Sequence, residues 1–131
     1  MKIMKEVTAA IILMDHRVLI AQRAPEDKLA GKWEFPGGKL EPGETLPECL
    51  KREIKEELEV DIEVLDFFGE SIYSYHSGTI RLVAYWCLWI SGKFTLKVHS
   101  NLAWVNRCDL DLYEFAPADI SLVEKLKAVM G

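Results

Sequence analysis

The sequence predicts an α+β fold, an α/β/α sandwich in which helices pack on a mixed β-sheet, and three observations carry that expectation. Strand-like apolar runs open the chain, a capped amphipathic segment follows, and a second set of strand-like runs leads into a final helical segment. No internal repeat, linker or low-complexity stretch interrupts this order, so one domain over residues 1–131 is expected.

Residues 7–13 are nearly all apolar, and after Asp15, His16 and Arg17 the pattern resumes at 18–21, which reads as two strands joined by a polar turn. Between 23 and 43, three prolines, four glycines and scattered charges break every period. This marks a long ordered loop with at most short strand pieces, and such loops often carry function. Thr45 opens a helix. Glu48, three residues on, completes a capping box, and Pro47 lies in the first turn, where a missing N–H costs little. Leu46, Leu50, Ile54 and Leu58 then recur every four residues as one apolar stripe.

Residues 61–68, 80–90 and 94–98 read as strands, and Trp104 with Val105 adds a short one. Residues 82–89 lack clean alternation, which predicts burial on both faces. Asp119 is placed to cap a last helix whose Leu122, Val123, Leu126 and Val129 share one side.

Composition narrows the function. Half the residues are hydrophobic and 28% charged, as in soluble globular proteins. A net charge of -5 argues against a nucleic-acid polymer, because phosphate backbones are bound by clustered Lys and Arg. A small anion held through a cation is compatible with it. The longest apolar run, residues 82–90, is far short of the roughly 20 residues that span a bilayer. The first six residues lack the apolar core of a signal peptide, so no membrane association and a cytoplasmic location are expected. Cys49, Cys87 and Cys108 are odd in number and without C-x-x-C spacing, which points to reduced thiols, Cys87 in the core.

The chemistry concentrates on the first helix. Glu53, Glu56 and Glu57 stand at i, i+3 and i+4 and can crowd one face beside the apolar stripe. Like charges at that spacing repel, and a hard divalent cation with oxygen ligands removes the penalty. Arg52, four residues before Glu56, can orient that carboxylate with a forked hydrogen bond, and Glu44 can join from ahead of the helix. On charge alone, a solvated Glu/Lys face would look the same. No G-x-x-x-x-G-K-[ST] or G-x-G-x-x-G string is present.

What the segment does resemble is the Nudix box. Gly38, Glu44, Arg52, Glu53, Ile54, Glu56, Glu57 and Val60 fall in register over 23 positions, and one position departs, Glu59 standing where the family has glycine. That glycine eases the helix exit through a positive φ, so Glu59 should cost stability without touching a ligand. Ala21-Gln22-Arg23, the run from Gly31 to Gly38, and Ala116-Pro117-Ala118-Asp119 are similar to the MutT branch, the nucleoside triphosphate pyrophosphohydrolases of the CTP pyrophosphohydrolase and 8-oxo-dGTP diphosphatase type.

The resemblance implies attack of water on a phosphorus of the triphosphate, usually the β one, releasing nucleoside monophosphate and pyrophosphate. It implies Mg²⁺, with Mn²⁺ as a substitute, on Glu53, Glu56, Glu57 and the carbonyl of Gly37, with Arg52 beside them. Some relatives add a glutamate from the loop before the tryptophan strand. Here that loop, residues 97–101, holds no carboxylate, so Glu53 or Glu44 is left as general base, or His99 assists. For the substrate, the resemblance points to Arg23 on phosphate, to Lys39 as a further contact, and to Ile80, Leu82 and Phe35 around the base, with a core aromatic as the alternative for Phe35. Asp119 either accepts from an exocyclic amine, which cytosine and guanine offer, or caps its helix. Relatives with Asn there read an oxidised guanine. The expected partner is a small nucleotide, bound by a monomer or homodimer. The alternatives are a hydrolase of ADP-ribose or another nucleoside diphosphate derivative, and a non-catalytic nucleotide sensor.

Overall fold

In the computed structural model, which describes residues 4–130, the chain runs β1 (Met4–Met14), β2 (Arg17–Gln22), β3 (Trp33–Glu34), α1 (Leu46–Leu58), β4 (Asp61–Tyr75), β5 (Gly78–Ser91) and β6 (Asn101–Asn106). A 3₁₀ segment, Arg107–Leu112, then leads to α2, Pro117–Val129. Residues 1–3, part of the stretch read as lacking a signal peptide, lie outside the described residues.

The sheet is mixed, ordered β3-β2-β1-β5-β4, with β6 also on β2. Centrally, β1 and β5 pair in parallel from Met4↔Thr79 to Ile12↔Cys87. The antiparallel pair β4 and β5 is a hairpin. By contrast β1 and β2 pair only beside their turn, at Leu13↔Val18 and Met14↔Arg17, and then part. The gap they leave is taken by the glycine-rich loop: Thr8 N–H donates to Gly38 O, Ala10 N–H to Pro36 O, and Leu40 N–H to Glu6 O. The long loop expected over residues 23–43 is therefore fixed by backbone pairing.

Alternation along β1 divides the core in two. Ala10 and Ile12 pack with Leu50, Ile54 and Leu58 of α1, while Ala9 and Ile11 pack with Leu122, Val123 and Leu126 of α2. Each buried Leu or Ile contributes roughly 1.5–3 kcal/mol relative to exposure. The expected sandwich is thus built by the expected stripes. The capping box also forms: Glu48 N–H donates to the Thr45 hydroxyl at 3.2 Å and Thr45 N–H to Glu48 at 2.8 Å.

Four expectations are corrected. Residues 94–98 are not a strand: Phe94 packs on Trp89 and Trp104, and Thr95 N–H donates to Leu58 O at the end of α1, while Leu96 and Val98 are exposed. Within the run 82–89, Leu82 to Ala84 and Cys87 are buried, while Leu88 and Trp89 are exposed, so the run is not buried on both faces throughout. On α2, Val129 is the last helical residue and is 58% exposed instead of sharing the buried side. The α2 N-cap is Ala116, without a side-chain cap bond, because Pro117 occupies the first helical position; Asp119 sits inside the first turn. The other strands are longer than expected, β4 by seven residues beyond Phe68 to Tyr75, and Cys87 is buried as expected. Among the described residues, all three cysteines are free and no helix is long and apolar enough to cross a membrane.

Candidate active site

A cleft of about 1060 Å³ opens along the glycine loop, the edge of α1, the start of β5 and the first turn of α2. It is large enough to hold a nucleotide-sized ligand. Of the residues singled out in the sequence, Arg23, Gly37, Lys39, Glu53, Glu57, Ile80, Leu82, His99 and Asp119 line it, joined by Glu34, Asp27 and Tyr75.

Two glycines let loop and helix meet. A Cβ on Gly37 would lie 2.0 Å from Thr8 O, and one on Gly38 would lie 2.2 Å from Cδ of Glu53. The first contact is against backbone that cannot yield, and the second is against a carboxylate of the site. While Pro36 O and Gly38 O accept from β1, Gly37 O accepts no backbone hydrogen bond among the described residues.

Arg52 organises the carboxylates behind the cleft. Its Nε and Nη2 fork onto Glu44 at 2.6 and 2.9 Å, while Nη1 donates to Glu53 at 3.0 Å and Glu56 at 3.1 Å. Nη2 also donates to Lys39 O at 3.1 Å, tying the helix to the glycine loop. The fork expected for Glu56 is thus spent on Glu44, which lies ahead of the helix, and Glu56 receives a single bond on the exposed side. Arg52 holds the Glu44 carboxyl down at about 2.

Glu57 is different. Burial, then the charges of Glu53 and Glu34, push its carboxyl up to about 8. Glu53 and Glu57 in the cleft, with Glu57 destabilised as an anion, fit a divalent cation, whose charge would offset that repulsion. Among the described residues, no three His, Cys, Asp or Glu side chains converge as a ready-made metal cage. Such openness suits an ion that also takes ligands from water and substrate phosphate.

Glu34 is the residue that sequence reasoning passed over. It accepts from Arg23 Nη1 at 2.7 Å and lies 2.8 Å from His99 Nε2. Those partners lie 11 and 65 positions away in the chain, so the only sequence signal was its place between Trp33 and Phe35 in the loop. Arg23 also forks onto Asp27 at 3.0 and 3.2 Å, so it enters the cleft already paired. His99 is buried in the loop before β6, its Nδ1 3.9 Å from Glu57 Oε1 and without a hydrogen-bond partner.

Phe35 takes its core alternative rather than a place in the base pocket. Its ring lies in the core against Phe115, and it is the backbone N–H that serves the site, donating to Asp119 Oδ2 at 3.0 Å. Asp119 is 5% exposed, and burial, reinforced by the charge of Glu34, holds its carboxyl well above the usual range. Tyr75, which also lines the cleft, accepts from Ala118 N–H at 3.1 Å.

A glycine loop laid against a carboxylate helix, on a mixed sheet between two helices, is the arrangement of a Nudix hydrolase, and the NUDIX domain model matches residues 4–128: the chain belongs to that family. Its relatives are of the MutT-like kind. The CTP pyrophosphohydrolase of Escherichia coli (strain K12) is 36% identical over 126 residues, covering 96% of this chain and 93% of the relative. The 8-oxo-dGTP diphosphatase of the same strain is 30% identical over 115 residues, covering 86% and 88%. Among solved structures, the MutT protein (family Nudix hydrolase) of methicillin-resistant Staphylococcus aureus 252 superposes with a TM-score of 0.79 at 39% identity, covering 98% of both chains.

Proposed function

We propose that the protein is a Mg²⁺-dependent nucleoside triphosphate pyrophosphohydrolase, converting a nucleoside triphosphate and water to the monophosphate and pyrophosphate, within one catalytic domain over residues 1–131. The observation that supports it best is that Glu53, Glu57 and the Gly37 carbonyl share one cleft with Asp119. The names of the E. coli relatives support the same substrate class.

In this reading Glu53, Glu57 and the Gly37 carbonyl hold the cation, with Glu56 at the outer edge. A divalent cation there supplies charge neutralisation on the phosphates and lowers the pKa of a water. The chain's own groups then position the substrate, which is most of what phosphoryl chemistry requires. Lys39 lies on the rim, suited to phosphate. Arg23 must exchange a carboxylate for phosphate to do the same. Ile80 and Leu82 form an apolar wall for the base, facing Asp119. A carboxylate held at about 2 is a weak base, so Glu44 serves through Arg52 as a positioning residue, which leaves the general-base role to Glu53 in the cleft.

The test is hydrolysis of normal, methylated and oxidised nucleoside triphosphates with Mg²⁺, resolving pyrophosphate from orthophosphate. Pyrophosphate with preference for cytosine or oxidised guanine is expected, and Glu53→Gln should abolish turnover with the fold intact. Turnover on ADP-ribose or nucleotide sugars alone would refute the substrate class. Near-normal kcat in Glu53→Gln would refute the metal site.

A further inference from the structure

The loop before β6 brings no carboxylate to the cleft; its inward group is His99. This side chain is 8% exposed and tethered on one side only, with Nε2 2.8 Å from Glu34 Oε2. Glu34 also binds Arg23 through its other oxygen at 2.7 Å, which fixes it as an acceptor. In the neutral ring that bond places the proton on Nε2 and a lone pair on Nδ1. That nitrogen is a buried polar atom with no hydrogen-bond partner among the described residues, and it stands 3.9 Å from Glu57 Oε1.

At 3.9 Å the two are too far apart to hydrogen-bond, so the buried Nδ1 is left unsatisfied in the protein alone. A cation between them satisfies both. Two ligands about 2.1 Å from one six-coordinate ion lie about 3 Å apart when adjacent and about 4 Å when opposite, so the observed separation lets both reach one ion. The Nε2–H to carboxylate bond is also the usual way a ligating histidine is oriented.

We infer that His99 Nδ1 is a direct ligand of the divalent cation held by Glu53 and Glu57, which makes the site one of mixed nitrogen and oxygen donors. This rests on the metal site proposed above and deepens it. Compared with an all-oxygen site, an imidazole ligand favours Mn²⁺ or Co²⁺ over Mg²⁺.

The experiment adds Mn²⁺ alone to the full chain and reads electron spin-echo modulation from ¹⁴N together with binding isotherms for Mn²⁺ and Mg²⁺. Directly bonded imidazole nitrogen is expected in the wild type. His99→Gln keeps an amide N–H near the Nε2 position but offers nothing at Nδ1. It should lose the nitrogen signal and bind Mn²⁺ about tenfold or more weakly, with a smaller loss for Mg²⁺. Glu53→Gln should weaken both ions. Mn²⁺ that binds in a Glu53-dependent way without nitrogen coupling, or coupling that persists in His99→Gln, would overturn the inference and leave the carboxylate site standing. Mn²⁺ binding indifferent to Glu53 and Glu57 would overturn both. The wild-type spectrum decides the matter even where a variant fails to fold.

Discussion

Gly38 and Glu53 touch so closely that a Cβ on the glycine would lie 2.2 Å from the carboxyl carbon and 2.3 Å from Oε2 of the glutamate. The loop can deliver its carbonyls to the cleft only by passing over that carboxylate, and only glycine allows it. Gly38→Ala should push Glu53 out of line while the strand pairing of the loop holds. The expected result is a fall in kcat of about 10²-fold, the scale associated with a displacement of roughly 1 Å. Steady-state kinetics alongside circular dichroism checks it, and a fully active Gly38→Ala would show the contact to be slack.

Glu57 gives the metal-free protein a pH dependence of stability. Its folded carboxyl sits at about 8 against an ordinary 4.5, so the folded state retains a proton that the unfolded chain has released between those values. The contribution is complete below about 4.5 and is lost as pH rises through 8. In chelator, Tm should decline across this window more in the wild type than in Glu57→Gln. Parallel curves would mean that Glu57 is not strained as an anion.

Glu59 occupies the left-handed region, φ 60° and ψ 27°, as the C-cap of α1. An L side chain there costs about 1–2 kcal/mol, whereas glycine is at ease. Glu59→Gly forfeits an exposed ion pair with Lys97, which is worth little. Net stabilisation of about 0.5–1 kcal/mol is expected by denaturant titration, with kcat unchanged because Glu59 does not line the cleft. A destabilised variant would show that the Lys97 pair outweighs the backbone strain.

Asp119→Asn tests the proposed contact of Asp119 with the base. The amide oxygen can still accept from Phe35 N–H, so the fold should persist, and its NH₂ replaces an acceptor by a donor. KM for cytosine triphosphates should rise about tenfold or more, the scale of one lost hydrogen bond left unpaired, with kcat less affected. Equal KM values for wild type and variant would place the base elsewhere.

The sequence revealed α1 in full because every signal on it is local. Thr45 and Glu48 are three apart, and Leu50, Ile54 and Leu58 repeat at one helical period. Arg52, Glu53, Glu56 and Glu57 inherit their placement from that helix. What escaped was non-local. Glu34 became part of the site only when folding brought Arg23 and His99 to it, and the fork of Arg52 went to Glu44, eight residues away, rather than to the neighbour one turn along. Residues 94–98 alternate like a strand because Phe94 alone is drawn against Trp89 and Trp104 while the backbone answers to Leu58. Asp119 misled in another way: the cap position was already settled by Pro117 two residues earlier.

The parallel pairing of β1 with β5 joins residues such as Glu6 and Arg81, 75 positions apart. Closing so large a loop costs entropy before any contact compensates for it, so this pairing should form late. The glycine loop hangs on β1, and β1 is anchored by β5. On a ribosome, then, the carboxylate helix would emerge and coil long before the strand that seats its partner loop, and the nascent chain would have no assembled catalytic centre until most of it had been made.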